Sequence, residues 1–179
     1  MATPTNLPAI AVTGEVLTAA YVNDLRGAFR ILQVVSTNKT DTFSMSSTTF
    51  ADVTGLSVTI TPQSTSSKIF VMASVSGTGT TAATNFFGRL VRNSTPINVG
   101  DAAGSRTQAT IAARDQESQS TMSVMFLDSP ATTSATTYKI QIRSQGAGSA
   151  VYINRSVTDS DAASTARTTS NITVFEISA

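Results

Sequence analysis

The chain has 179 residues, enough for one domain with an extension, and its 40% hydrophobic content can close a core without disulfides. Only 13% of the residues are charged and the formal net charge is +1, so nothing in the composition draws the chain to nucleic acid or to an anionic membrane. His and Cys are both absent, which removes the side chain that titrates near neutrality and the readiest thiol nucleophile, and with them most routes to catalysis.

Ser and Thr occupy 54 of the 179 positions, in place of the missing charge. Thr favours strands, and a Ser/Thr surface is neutral and rich in hydrogen-bonding groups. The opening MATPTNLPAIAVTGEV has no basic n-region and no long apolar core, so a secretory signal is not expected and synthesis in a cytoplasm is. No apolar run reaches the ~18 residues of a membrane span, and membrane insertion is not expected either.

In chain order, residues 1–14 read as an extended arm, with Pro4, Pro8 and Gly14. Next comes a helical period: Thr18, Val22, Leu25, Phe29 and Leu32 are spaced 4, 3, 4 and 3, with polar Asn23, Asp24, Arg26 and Arg30 off the seam. Two readings of this helix stay open. It packs on its own domain, or it joins a parallel bundle on an oligomer axis. Two heptads are too short to hold such a bundle alone.

Strand signals then arrive at short intervals. They predict strands over Ile31–Lys39, Thr42–Met45, Thr49–Val53, Leu56–Thr61, Lys68–Ser76, Asn85–Asn93, Thr107–Arg114, Thr121–Leu127, Thr137–Ser144, Ala150–Asn154 and Asn171–Ser178. Breakers between them include Gly55, Pro62, the Gly100–Gly104 loop and the Ser/Asp-rich 156–170. Leu56, Val58 and Ile60 alternate with Ser57, Thr59 and Thr61, as in a half-exposed strand, and Tyr138, Ile140 and Ile142 alternate in the same way. Ile69–Val75 and Ile172–Ile177 are apolar on both faces, so each has a second surface to bury, in a subunit interface. The expected fold is all-β: an antiparallel jelly-roll β-sandwich of about ten strands, preceded by a short arm and helix. Residues 1–34 are read as the attachment segment and 35–179 as the head. Oligomerisation is expected through Val22, Leu25, Phe29 and Leu32 of the seam and through Val174, Phe175 and Ile177 of the last strand.

The order of elements resembles the trimeric jelly rolls of the C1q/TNF-like superfamily: a lead-in strand, a short hairpin, a long buried strand and a final central apolar strand. The phrases ADVTGLSVTITPQSTSSKIFVMASVSG, RLVRNSTPINVGDAAGSR, FLDSPATTSATTYKIQIRS and VYINRS resemble a head module of bacteriophage fibre proteins. The lead-in GEVLTAAYVNDLRGAF is similar to the start of phage tail and fibre proteins, so the resemblance spans about residues 14–179. It implies a homotrimeric virion protein made in the host cytoplasm, docked through its N-terminal arm on a tail, baseplate or capsid protein. The implied role is a short tail fibre or adhesin, with a host-surface glycan as ligand. The alternative is a capsid decoration or head fibre. The chain departs from a fibre in having almost no shaft between attachment segment and head. A cellular C1q-like lectin is disfavoured by the missing signal.

The candidates for chemistry are weak. Four Asn-X-Ser/Thr sequons, at Asn38, Asn93, Asn154 and Asn171, are not expected to be glycosylated without a signal. Asp159 and Asp161 could offer carboxylates to Ca²⁺, but such a site needs several more oxygens, and a solvated loop is expected. Gly100-Asp101-Ala102-Ala103-Gly104 has no Lys after it and reads as a turn, not a phosphate cradle. The carboxylates Asp101, Asp115, Glu117 and Asp128 form no spacing that singles out a glycosidase pair. Arg89, Arg92, Arg106, Arg114 and Arg143 read as solvated strand faces or intersubunit partners, with anion or acidic-glycan contact as the alternative. No catalytic, cofactor or metal residue is assigned.

Overall fold

The computed structural model describes residues 31–79, 85–114 and 119–178. Within them the chain forms eleven strands and no helix: β1 Ile31–Lys39, β2 Phe43–Met45, β3 Ala51–Ile60, β4 Lys68–Gly79, β5 Asn85–Arg92, β6 Thr95–Ile97, β7 Ile111–Arg114, β8 Ser120–Asp128, β9 Thr136–Ser144, β10 Val151–Ile153 and β11 Ser170–Ile177. The predicted arm and helix lie outside the described residues, apart from Leu32. The heptad spacing made Leu32 the last member of the helical seam. It sits instead on β1, because Ile31 already pairs with Ile177 and the chain is extended from there on.

All pairings are antiparallel, and the strands divide into two sheets. In the first, β11 lies between β1 and β4, β8 covers the other edge of β4, and β10 and β2 extend the sheet. In the second, the order is β3, β9, β5, with β7 and β6 sharing the far edge of β5. The long-range pairs are nested in sequence: β1 with β11, β3 with β9, β4 with β8 and β5 with β7.

Alternation places the core between the sheets. Ile69, Val71, Ala73 and Val75 of β4 and Ile172 and Val174 of β11 face Leu56, Val58 and Ile60 of β3 and Tyr138, Ile140 and Ile142 of β9, in one buried cluster. These are β-branched and aromatic residues at every second position, the pattern that suits a pleated, one-side-buried strand.

Two local devices depart from simple alternation. Gly55 does not separate two strands as its residue type predicts. It adopts φ +79° inside β3, where the ladder to β9 shifts between Asp52 and Ser57. That bulge lets Val53 and Leu56, three residues apart, both point into the core. The second device is the hairpin from β5 to β6, closed by Asn93 and Ser94 with Asn93 at φ 55°. Pro96 hides this strand in the sequence, and it is tolerated because β6 is an edge.

Being flanked on both sides makes β11 indispensable. Ending the chain at residue 170 strips a ladder partner from β1 and from β4 and removes Ile172 and Val174 from the core. Each buried backbone group left unpaired costs roughly 1–3 kcal/mol, against a total stability of about 5–15 kcal/mol. The truncated chain should be insoluble or lack a cooperative melt by circular dichroism. A soluble, cooperatively melting product would contradict the central place of β11.

Candidate functional site

Two open sheet faces and a few buried polar clusters carry the candidates. On β11, Ile172 and Val174 fill the core while Thr173, Phe175 and Ile177 turn outward. Cross-strand registers extend that outward set over the first sheet. Val34, Phe175, Phe70 and Leu127 form one row from β1 to β8; Ser36, Thr173, Met72 and Met125 form the next; Asn38, Asn171, Ser74 and Ser123 form a polar third. The Phe70 and Phe175 rings are tilted neighbours, 6.3 Å between centroids. Every exposed large hydrophobic among the described residues lies on this one face: Ile31, Val34, Met72, Met125 at 64% and Leu127 at 52%. Lys68, paired with Ile177 at the border, supplies the charge there and donates to the Ser129 hydroxyl. Exposed apolar groups scattered singly are ordinary, but a contiguous set marks an interaction surface.

The expected oligomerisation residues divide accordingly. Phe175 and Ile177 are on this face and half-buried, and Leu32 is half-buried on β1. Val174 fills the core at 0% exposure and is not on the face. Val22, Leu25 and Phe29 lie outside the described residues. Met125 and Leu127 were missed, although the uninterrupted apolar run Val124–Leu127 is the same two-faced signal read in β4 and β11.

The outward face of the second sheet is charged and aromatic. The Arg89 guanidinium stacks 4.2 Å above the Phe50 ring, and that of Arg143 stands 5.9 Å from Phe50 and 5.4 Å from Phe87. Asp52 is the acid beside them, accepting from Lys139 at 2.8 Å and from Gln141 at 2.6 Å. Gln141 in turn accepts from Arg89 Nε at 2.8 Å. Burial opposes the Asp52 charge, yet the bonds from Lys139 and Gln141 hold its carboxyl below the usual range.

Other ionisable groups are structural. Asp128 closes one end of the sandwich: both its oxygens accept from Arg92, and Tyr138 donates to it at 2.6 Å. Burial together with this carboxylate pushes the Tyr138 phenol far up, so it stays protonated. Asn154, fully buried, donates to the carbonyls of Lys39 and Asp41 and accepts from Ser170, tying β1 to β11. A sequon whose amide is spent in this way holds no glycan. Asp159 is clasped by Arg167 at 2.7 Å, with Arg155 at 3.7 Å, and so braces its own loop. Asp101 is exposed in a loop, and Asp115 and Glu117 lie outside the described residues. No group of three or more His, Cys, Asp or Glu among the described residues is placed to hold a metal ion.

No known family model matches this chain, and no curated protein matches it either.

Glu176 is the most enclosed acid among the described residues, at 0% exposure. Burial disfavours its charge. The donors around it, the Gln33 amide and the backbone N–H of Gln63, more than offset this and hold the carboxyl below its usual range. Its pKa is thus lower folded than unfolded. Its contribution is complete above the unfolded value and is lost as pH falls through the folded one. Thermal melts should therefore show stability falling on the acid side of pH 4.5, the ordinary glutamate value. Glu176→Gln should flatten that acid limb. An equally steep limb in the variant would remove Glu176 from the account.

Proposed function

We propose that this protein is a non-enzymatic structural component of a bacteriophage particle: a homotrimeric short tail fibre or adhesin whose β-sandwich is a jelly-roll head facing outward. The observation that carries this reading is the uncovered apolar face of the first sheet. Burying a Val, Leu or Met side chain is worth roughly 1.5–3 kcal/mol, and Val34, Met72, Met125 and Leu127 stand exposed together. The occupant best suited to them is a second and third copy of the same chain. Around a three-fold axis each contact joins two different parts of the surface, and a face with almost no charge can take both parts without repulsion.

The point of chain entry supports the same arrangement. Ile31, on this face and 54% exposed, is where the described structure begins after the 1–30 segment. Three copies sharing the face would bring the Ile31 ends of β1 toward a common axis, as attachment through the segment before it requires.

The nesting of β1 with β11, β3 with β9, β4 with β8 and β5 with β7 is that of one long hairpin rolled into two sheets, which supports a jelly roll. The resemblance of the fibre-like phrases to phage head modules supports the location.

Light scattering on the full chain should return three times the 18.6 kDa chain mass at micromolar concentration. Met125→Glu changes a side chain that is 64% exposed, so the fold should survive, since exposed substitutions usually stay within about 0.5 kcal/mol. It should nevertheless put a carboxylate into the interface and yield a folded monomer. A stable wild-type monomer would overturn the trimer, and an unchanged trimer in the variant would move the interface off this face.

A further inference from the structure

We infer that the corner of the second sheet built from Phe50, Phe87, Arg89 and Arg143 binds the anionic groups of an acidic saccharide. The inference rests on the adhesive reading above in one respect: with the first sheet covered by its copies, the second is the face turned to the surroundings.

The argument begins with an imbalance of charge. Among the described side chains, Arg89, Lys139 and Arg143 share this face with a single carboxylate, Asp52. Both oxygens of Asp52 are already engaged, by Lys139 and by Gln141. The guanidiniums therefore lack an acid of their own. Arg89 uses Nε on Gln141, and Arg143 uses Nε on the Ser144 carbonyl. Among the described residues no acceptor takes the terminal nitrogens of either. Two planar forks held against one ring, each with its outer edge unspent, match the two-oxygen geometry of a carboxylate or sulfate.

The rings fix this arrangement. Phe50 lies against both guanidiniums and Phe87 against Arg143, so the forks are oriented before a ligand arrives and less side-chain freedom is lost on binding.

The surroundings favour a sugar chain as the carrier of the anion. The site is on an open sheet and not in an enclosed pocket, so it admits an extended polymer. Further along the same face stand the exposed Ser57 and Thr59 of β3 and the half-buried Thr137 of β9, the last two joined hydroxyl to hydroxyl at 2.8 Å. Such neutral groups can donate to and accept from sugar hydroxyls without adding charge.

Calorimetric titration of the full chain with hyaluronate oligosaccharides, which carry one carboxylate per repeat, tests the inference. Uncharged dextran oligosaccharides and inorganic sulfate serve as the comparison probes. Hyaluronate should bind, weakening as salt rises, and dextran should not. Arg89→Gln and Arg143→Gln should each weaken binding by about tenfold or more, since a hydrogen bond to a charged group is worth about that factor. Arg106→Gln, in the exposed 98–110 loop, should leave it unchanged. Asp52→Asn removes the competing carboxylate and should tighten it, an effect that misfolding could not imitate.

No hyaluronate binding, or equal loss in Arg106→Gln, would overturn the site. Sulfate binding as tightly per anion as hyaluronate would reduce it to an adventitious ion only. The Met125→Glu variant separates this inference from the trimer. Binding per chain should persist when the copies dissociate, and a trimer that ignores hyaluronate contradicts the site alone.

Discussion

Strand β11 is the constraint on which the rest depends. It is bonded on both edges, to β1 and to β4, and its side chains divide strictly between two destinations. Ile172 and Val174 go into the core with Glu176 at its margin, while Phe175 and Ile177 go to the outer face. Because paired residues in a ladder share a side, that division is imposed on the neighbouring strands. It brings Val34, Phe70, Met72, Met125 and Leu127 together on one surface. The core and the apolar face are thus two consequences of one alternation.

The ends of the sandwich are closed by polar clusters in which the buried charges have partners. Glu176 draws on Gln33 and on the 63–67 turn, Asp128 on Arg92 and Tyr138, and the amide of Asn154 on the β1–β2 connection. A buried charge or amide is tolerated only when its bonds are made, so these residues hold the two sheets in one relative placement. The result is a sandwich with two unlike faces, one apolar and nearly neutral, the other cationic and aromatic. That polarity supports an outward-facing head held by copies of itself.

Much of the fold could be read from local pattern. The limits of β1 and the alternations in β3 and β9 follow from residues at every second position, and the two-faced β4 and β11 were visible as apolar runs. What could not be read depends on backbone conformation or distant pairing. Gly55 is a bulge inside one strand because the ladder with β9 continues past it, a fact held by residues far along the chain. Pro96 sits in an edge strand whose edge character only the sheet order reveals. Val174 was grouped with Phe175 and Ile177 although alternation sets it on the opposite side, and burial resolves the group. The site on the second sheet was half legible: Arg89 and Arg143 stood out as strand arginines, but nothing in the sequence links either to Phe50.

Because the chain lacks Cys, one introduced thiol reports on one place, and spin labels can ask which face meets a copy of itself. Ser123→Cys puts a label on exposed β8, at the polar end of the first sheet's outer face, and Ser57→Cys puts one on the exposed side of the second. Dipolar coupling between chains should be strong for the label at position 123 and weak or absent for the label at position 57. Weak coupling at 123 with strong coupling at 57, or none at either, would contradict self-association through the apolar face.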